Sequence, residues 1–384
     1  MKKILILCLL VPIFSFAVGD FSDFDGYQDR WTRGELEQRL LRFIGGEALS
    51  YLEISDEAVS LYDLPEGEKE RKVEFRLSLA KEKRSIKSPP RRSDLVGAKV
   101  AIDPGHFWGE YARLEERYID IPPSLEREES IQFDEGSLSF LTAVYLKLLL
   151  EKEGAIVMIT RDQIGKGVYE DGFFDWLKKT PELWTGEVAL NKLFRRYYNP
   201  LDLRARAAKI NAFSPEISVA IHFNSHAGRD DVSSNHSVVS NNFNLAFIGG
   251  SFCQNELRDP ASRYEMVRML VTEDLPRSLL LSQAVVGQLV AHLNVPMISA
   301  EDGARYLERV CKKVKPGVYS RNLALTRQIH GPVIYGESLV QNNVDECLNL
   351  ARKDFVIDGI RCSSRVKEVA EAYFDGIKEF LLEN

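Results

Sequence analysis

The chain has 384 residues, enough for one large core or for one core with a small accessory unit. Its 45% hydrophobic and 28% charged content describe a globular protein and exclude a disordered one. A net charge of −7 argues against a general nucleic-acid binder.

The chain opens MKKILILCLLVPIFSFAVGD. Lys2 and Lys3 precede an apolar run from Ile4 to Phe16, and the small residues Ser15 and Ala17 stand before a cut at Val18. This is the layout of a secretory signal peptide, residues 1–17. The run is too short for a stable anchor and no other segment approaches transmembrane length. The expectation is therefore export to the periplasm or cell envelope, with no membrane anchor after signal cleavage. Removing Cys8 leaves Cys253, Cys311, Cys347 and Cys362. Export makes disulfides feasible, and Cys347 with Cys362 would close a short loop. None of the four falls at CxxC spacing, which disfavours zinc ligation by cysteine.

TRGELEQRLLRFIG, Thr32 to Gly45, reads as a short amphipathic helix stopped by two glycines. YLEISDEAVSLYDL and RKVEFRLSLA alternate apolar and polar residues as a strand pair would. The charged, Pro-containing EKRSIKSPPRRSD reads as a linker, with a boundary near Arg92. Residues 18–92 are thus expected to form a small N-terminal α+β region.

From residue 93 onward strands alternate with helices. KVAIDPGH is a strand, SLSFLTAVYLKLLLEKEG a helix ended by Gly154, and AIVMITR a strand expected to be buried on both faces. DLRARAAKINAF is a helix and ISVAIHFNS a strand. LPRSLLLSQAVVGQLVAHLN is a helix, GPVIYGESLV a strand, and SSRVKEVAEAYFDGIKEFLLEN a closing helix. Such alternation argues an α/β fold with a mainly parallel sheet. Three segments, at about 163–199, 227–263 and 299–321, interrupt the pattern as insertions.

Three of these strands close on residues able to bind a metal or move a proton: His106, His222 and Glu337. In an open α/β sheet the ligand crevice lies beyond the carboxyl ends of the strands. Glu135, opening the helix after His106, would have its N-terminus at the same crevice. Two histidines and a carboxylate are a hydrolytic zinc set with a fourth position left open. A further carboxylate could take a proton from water and pass it on.

VAIDPGH, Glu135 before a helix, LRARAAKIN, SVAIHFNS and PVIYGES occur in the order found in zinc-dependent N-acetylmuramoyl-L-alanine amidases, and the chain resembles that cell-wall family. The resemblance runs from about Lys99 to Asn343. It implies a mixed six-stranded sheet flanked by helices, and Zn2+ held by His106, Glu135 and His222. It also implies catalysis by Glu337, and cleavage of the amide between N-acetylmuramic acid and L-alanine in peptidoglycan. Two alternatives are an inactive peptidoglycan-binding module of the same fold and a zinc peptidase cutting another wall peptide bond.

Three features depart from the family pattern. Phe107 and Trp108 replace the usual Gly-Gly and are expected to reshape the mouth. Phe223 replaces a small residue, and the loop from His106 to Glu135 is long and charged. Arg161 and Arg206 are read as salt-bridging residues and Asp103 as the organiser of its turn. His226 is read as a surface polar residue, and His330 as a lesser candidate for contacting substrate. Some family members carry a helix over the zinc that an activator protein displaces. ASRYEMVRMLVTEDL, within 255–276, could be such a lid, or a peripheral helix packed on the core.

Overall fold

Residues 19–83, 92–123, 127–184, 186–226 and 235–383 are described by the structure, a computed structural model. The expected signal peptide, and residues 84–91 of the expected linker, lie outside the described residues.

Thr32 caps α1 (Arg33–Arg39): its hydroxyl accepts from the Glu35 N–H while the Glu35 carboxylate accepts from the Thr32 N–H. The helical path continues through Leu40–Ile44 and stops at Gly45, whose φ of 97° suits glycine alone. Next, β1 (Leu52–Ile54), β2 (Ala58–Tyr62) and β3 (Val73–Ser78) form an antiparallel sheet. The first alternating stretch thus folds into a hairpin by itself. Ser55 breaks it, its Oγ accepting from the Ala58 N–H.

The chain then runs β4 (Lys99–Pro104), α2 (Glu110–Glu115), β5 (Tyr118–Ile121), β6 (Ile131–Asp134), α3 (Glu135–Lys152) and β7 (Ile156–Ile159). It continues α4 (Phe173–Lys179), α5 (Leu190–Leu193), α6 (Asn199–Phe213), β8 (Ile217–Asn224), β9 (Leu245–Ile248), α7 (Pro260–Val271) and α8 (Asp274–Leu293). After α9 (Arg305–Val310) come β10 (Lys312–Lys315), β11 (Val318–Ser320), α10 (Ala324–Gln328) and β12 (Val333–Val340). The last elements are α11 (Glu346–Ala351), the hairpin β13 (Phe355–Ile357) and β14 (Ile360–Cys362), and α12 (Ser364–Glu383).

The central sheet has seven strands in the order β10-β11-β9-β12-β8-β4-β7. It is parallel except at β10/β11 and β9/β12. The mixed, mainly parallel α/β class matches expectation, while the count exceeds the expected six. β9, β10 and β11 all lie inside segments read as insertions. They are only three or four residues long, so their patterns are too short to stand out from polar surroundings. β7 is a sheet edge paired only with β4, and Ile156 is 52% exposed, so this strand is not buried on both faces. An apolar run cannot tell a central strand from an edge strand lying under a helix.

Side-chain parity divides the strands between two cores. Val100, Ile102, Val219, Ile221 and Ile334 pack under α3, α8 and α12. Ala101, Ala220 and Val333 face α6 and α10, with Tyr335 packed alongside. Register pairs Tyr335 with Ala220 and Glu337 with His222, so Tyr335, Glu337 and His222 share the α6 face of the sheet.

The N-terminal region shares a core with the rest of the chain. Phe43, Ile44, Leu61 and Leu77 pack with Ile248 of β9, Val318 of β11 and Met266 and Leu270 of α7. Trp31 Nε1 donates to the Val271 carbonyl at 3.0 Å, and Arg263, nearly buried, pairs with Glu74 at 2.6 Å. Helix α7 therefore sits as a brace against α1, α8 and α10. Cys253, Cys311, Cys347 and Cys362 are free thiols, so Cys347 and Cys362 do not pair. Among the described residues no helix is long and apolar enough to cross a membrane.

Candidate metal centre

β4 ends in Asp103-Pro104, and its end is pinned from three sides. Thr160 Oγ1 donates to Asp103 Oδ1 at 2.6 Å, and buried Arg206 on α6 bonds Asp103 Oδ2 at 2.9 Å. The Gly105 N–H donates to the Ile221 carbonyl of β8 at 2.8 Å. Glycine is needed at 105, because a Cβ there would lie 2.3 Å from the His222 ring. His106 follows with φ 55°, a left-handed conformation costing about 1–2 kcal/mol for a residue with a side chain. Its ring meets the His222 ring edge-on, with centroids 4.7 Å apart.

Glu135 opens α3, where Asp134 is the N-cap and accepts from the Ser137 N–H. The helix start is seated directly on the backbone that follows His106. A Cβ on Gly136 would fall 2.1 Å from the Phe107 carbonyl oxygen, so only glycine allows this approach. Glu135 Oε1 lies 3.4 Å from His106 Nε2 and 3.1 Å from His222 Nδ1, and it accepts from the Phe223 N–H. Its Oε2 accepts from Gln341 Nε2 at 3.3 Å.

One donor atom from each of His106, Glu135 and His222 thus falls within 4.8 Å of the others. Two imidazoles and one carboxylate aimed at a common point fit zinc, which takes three protein ligands in hydrolytic sites and leaves a fourth position open. Burial, aided by the nearby His106, pulls His222 down to about 4, so at neutral pH the ring keeps a free lone pair. Burial alone would raise Glu135, but the His106 and His222 rings outweigh it and keep the carboxylate below its usual range, ready to bind a cation. Glu337 is pushed the other way. Burial and then the charge on Glu135 raise it to about 8, against opposing pulls from Arg117 and Arg321.

The comparisons with known proteins add the following. No family profile matches the chain, and no curated protein matches it. Among solved structures it is similar to the CwlD amidase from Clostridioides difficile, solved in complex with the GerS lipoprotein (15% identity, 75% of this chain and 100% of that one, TM-score 0.43). It is similar also to the N-acetylmuramyl-L-alanine amidase Ami1 from Mycobacterium smegmatis (14% identity, 76% and 100%, TM-score 0.42). A third is the N-acetylmuramoyl-L-alanine amidase AmiC2 of Nostoc punctiforme (16% identity, 74% and 97%, TM-score 0.39). At these values the likenesses carry no weight for the chemistry, which rests on the residues themselves.

Other sequence candidates fall elsewhere. The His226 N–H is held by Asn342 Oδ1 and its ring packs on Phe243; it is buried, not on the surface as expected, and it is not part of the cluster. His330 precedes β12, at the opposite end of that strand from Glu337, and its ring lies 3.6 Å from Glu265. Arg161 contacts the Pro104 carbonyl and lies over the Phe107 ring, a bracing role like that of Arg206. Phe107 does not crowd the mouth. It turns into an aromatic cluster with Tyr111, Phe173, Phe194 and Tyr198, which seats the 163–199 insertion, while Trp108 packs on Phe140.

Several site neighbours escape a reading of the sequence. Glu115, 4% exposed, places Oε1 2.9 Å from His106 Nδ1, the nitrogen turned away from Glu135. The same carboxylate accepts from the Phe107 N–H and from Asn199 Nδ2. Burial would raise it, yet His106 and the Phe107 N–H hold it well below the carboxylate range. A carboxylate behind a ligating imidazole fixes its orientation and tautomer. Arg117 faces Glu135 and Glu115, and its carbonyl accepts from the Glu135 N–H. The only signal for Glu115 is that the long loop is acidic, and composition does not say which carboxylate folds inward.

Proposed function

We propose that the chain is an exported zinc hydrolase that cleaves the amide between N-acetylmuramic acid and the L-alanine of peptidoglycan stem peptides, in the periplasm or cell envelope. His106, Glu135 and His222 hold the zinc, and Glu337 is the catalytic carboxylate. The observation that carries this reading is the convergence of the three donor atoms within 4.8 Å at strand ends where Glu337 stands directly beside His222 in the sheet register. The ordered motifs of the sequence support the same substrate.

A zinc ion held there would polarise a carbonyl and bring the pKa of a bound water near 7. Neutral in the metal-free protein, Glu337 would be ionised by the charge of a zinc ion held there and could then take the proton of the attacking water as its oxygen bonds the carbonyl carbon. A carboxylate raised toward neutrality also returns that proton readily. Delivered to the alanine nitrogen as the C–N bond breaks, it leaves a lactyl carboxylate on the sugar and a free amino group on the peptide. Glu115 holds the His106 ring in place, and Gln341 holds Glu135.

In this reading residues 93–384 form the catalytic unit and 18–92 its N-terminal brace. Peptidoglycan is the partner; an activator protein would act at a surface other than α7, which is packed in as a brace. Digestion of purified sacculi, with and without a chelator, tests the proposal. The expected products are intact glycan strands and stem peptides with a free L-alanine amino group, formed only when zinc is present. Binding to sacculi with no release would indicate the inactive module, and a new peptide carboxyl end would indicate a peptidase.

A further inference from the structure

Tyr335 stands on β12 two residues before Glu337 and on the same face of the sheet. Its ring stacks flat on His222, with centroids 4.0 Å apart and planes 12° from parallel. Its hydroxyl lies 3.3 Å from His222 Nδ1, the same nitrogen that faces Glu135. Because the two rings lie parallel, the phenol oxygen sits over the face of Nδ1, beside the in-plane lone pair with which that nitrogen would hold an ion.

Among the described residues, Nδ1 is the polar atom the hydroxyl meets, and a parallel stack does not let the O–H point along that atom's in-plane lone pair. A ring nitrogen whose lone pair is committed to a cation cannot accept a hydrogen bond. The phenol O–H is then left to find an acceptor in whatever occupies the open position. From this geometry we propose that Tyr335 is a second catalytic residue, donating a hydrogen bond to the oxygen of the scissile carbonyl as negative charge gathers there. The assignment rests on the amidase reading above. It places the proton acceptor Glu337 and the electrophilic donor Tyr335 on one strand, flanking one reacting carbonyl.

The test is Tyr335→Phe, which keeps the ring stack and removes only the hydroxyl. Three quantities are measured on full-length protein: kcat and KM for release of muropeptides, and zinc affinity of the metal-free form by chelator competition. The expected result is a fall in kcat on the order of 10²–10³-fold, as for loss of one oxyanion donor, with KM and zinc affinity changed by less than about threefold. A kcat within about threefold of the unmodified protein overturns the assignment. A loss of about tenfold or more in zinc affinity overturns it too, since the phenol would then be a ligand. An unmodified protein that releases no muropeptide brings down the amidase reading and this inference together. An active unmodified protein with an equally active variant removes only the inference.

Discussion

The protonation states of Glu337 and His222 make a measurable statement about the metal-free protein. Glu337 holds its proton to about pH 8 when folded, against about 4.5 when unfolded, so it favours the folded state at low pH and loses that effect as pH rises through 8. His222 is depressed from 6.5 to about 4, so it costs stability as pH falls through that range. Below pH 6.5 the two oppose each other; between about 6.5 and 8 Glu337 acts alone of the pair. The metal-free protein is expected to lose about 1–2 kcal/mol across that window. Glu337→Gln should flatten the loss, as read by denaturant melts at half-unit pH steps. Glu115→Gln tests the support behind His106. It keeps the shape but removes the charge, and zinc affinity should fall about 10–100-fold, read by chelator competition.

Element placement depends on close approaches that only particular residues permit. α3 can bring Glu135 to the cluster because Gly136 lets the helix start lie on the Phe107 carbonyl. Gly136→Ala must push the helix away, with an expected cost of about 2–4 kcal/mol in a thermal melt and a matching loss of zinc binding. The sequence shows His106, His222 and Glu337 clearly, because each lies in the carboxyl-terminal half of an apolar strand or just past it, and the strand ends of such a fold face one crevice. Glu115, Gln341 and Tyr335 are not legible in the same way. Their roles come from contacts across 9, 206 and 113 positions of chain, and no local pattern encodes these. β9 fails for a different reason: LAFI is four residues long, and its strand character comes from pairing with β11 and β12.

At the scale of the whole molecule, the N-terminal region and the rest of the chain share buried surface. Leu61, Leu77, Phe43 and Ile44 cover Ile248 and Val318, which belong to central-sheet strands. A chain beginning at Ser93 would expose that surface and the apolar face of α7. Reduced solubility and a lower melting temperature are expected, by light scattering and calorimetry, even though no candidate ligand is removed. An unchanged melting temperature would show that the first unit is an independent attachment. Deleting 255–276 should likewise lower activity by damaging the fold, whereas a lid would give a gain.

The central claim is that His106, Glu135 and His222 share one zinc ion. Zinc content of the purified protein and of His106→Ala, Glu135→Ala and His222→Ala, each checked for folding by circular dichroism, tests it most directly. The account predicts one zinc per unmodified chain and a folded, nearly zinc-free protein for each variant. Full zinc occupancy in a folded His222→Ala protein would contradict it.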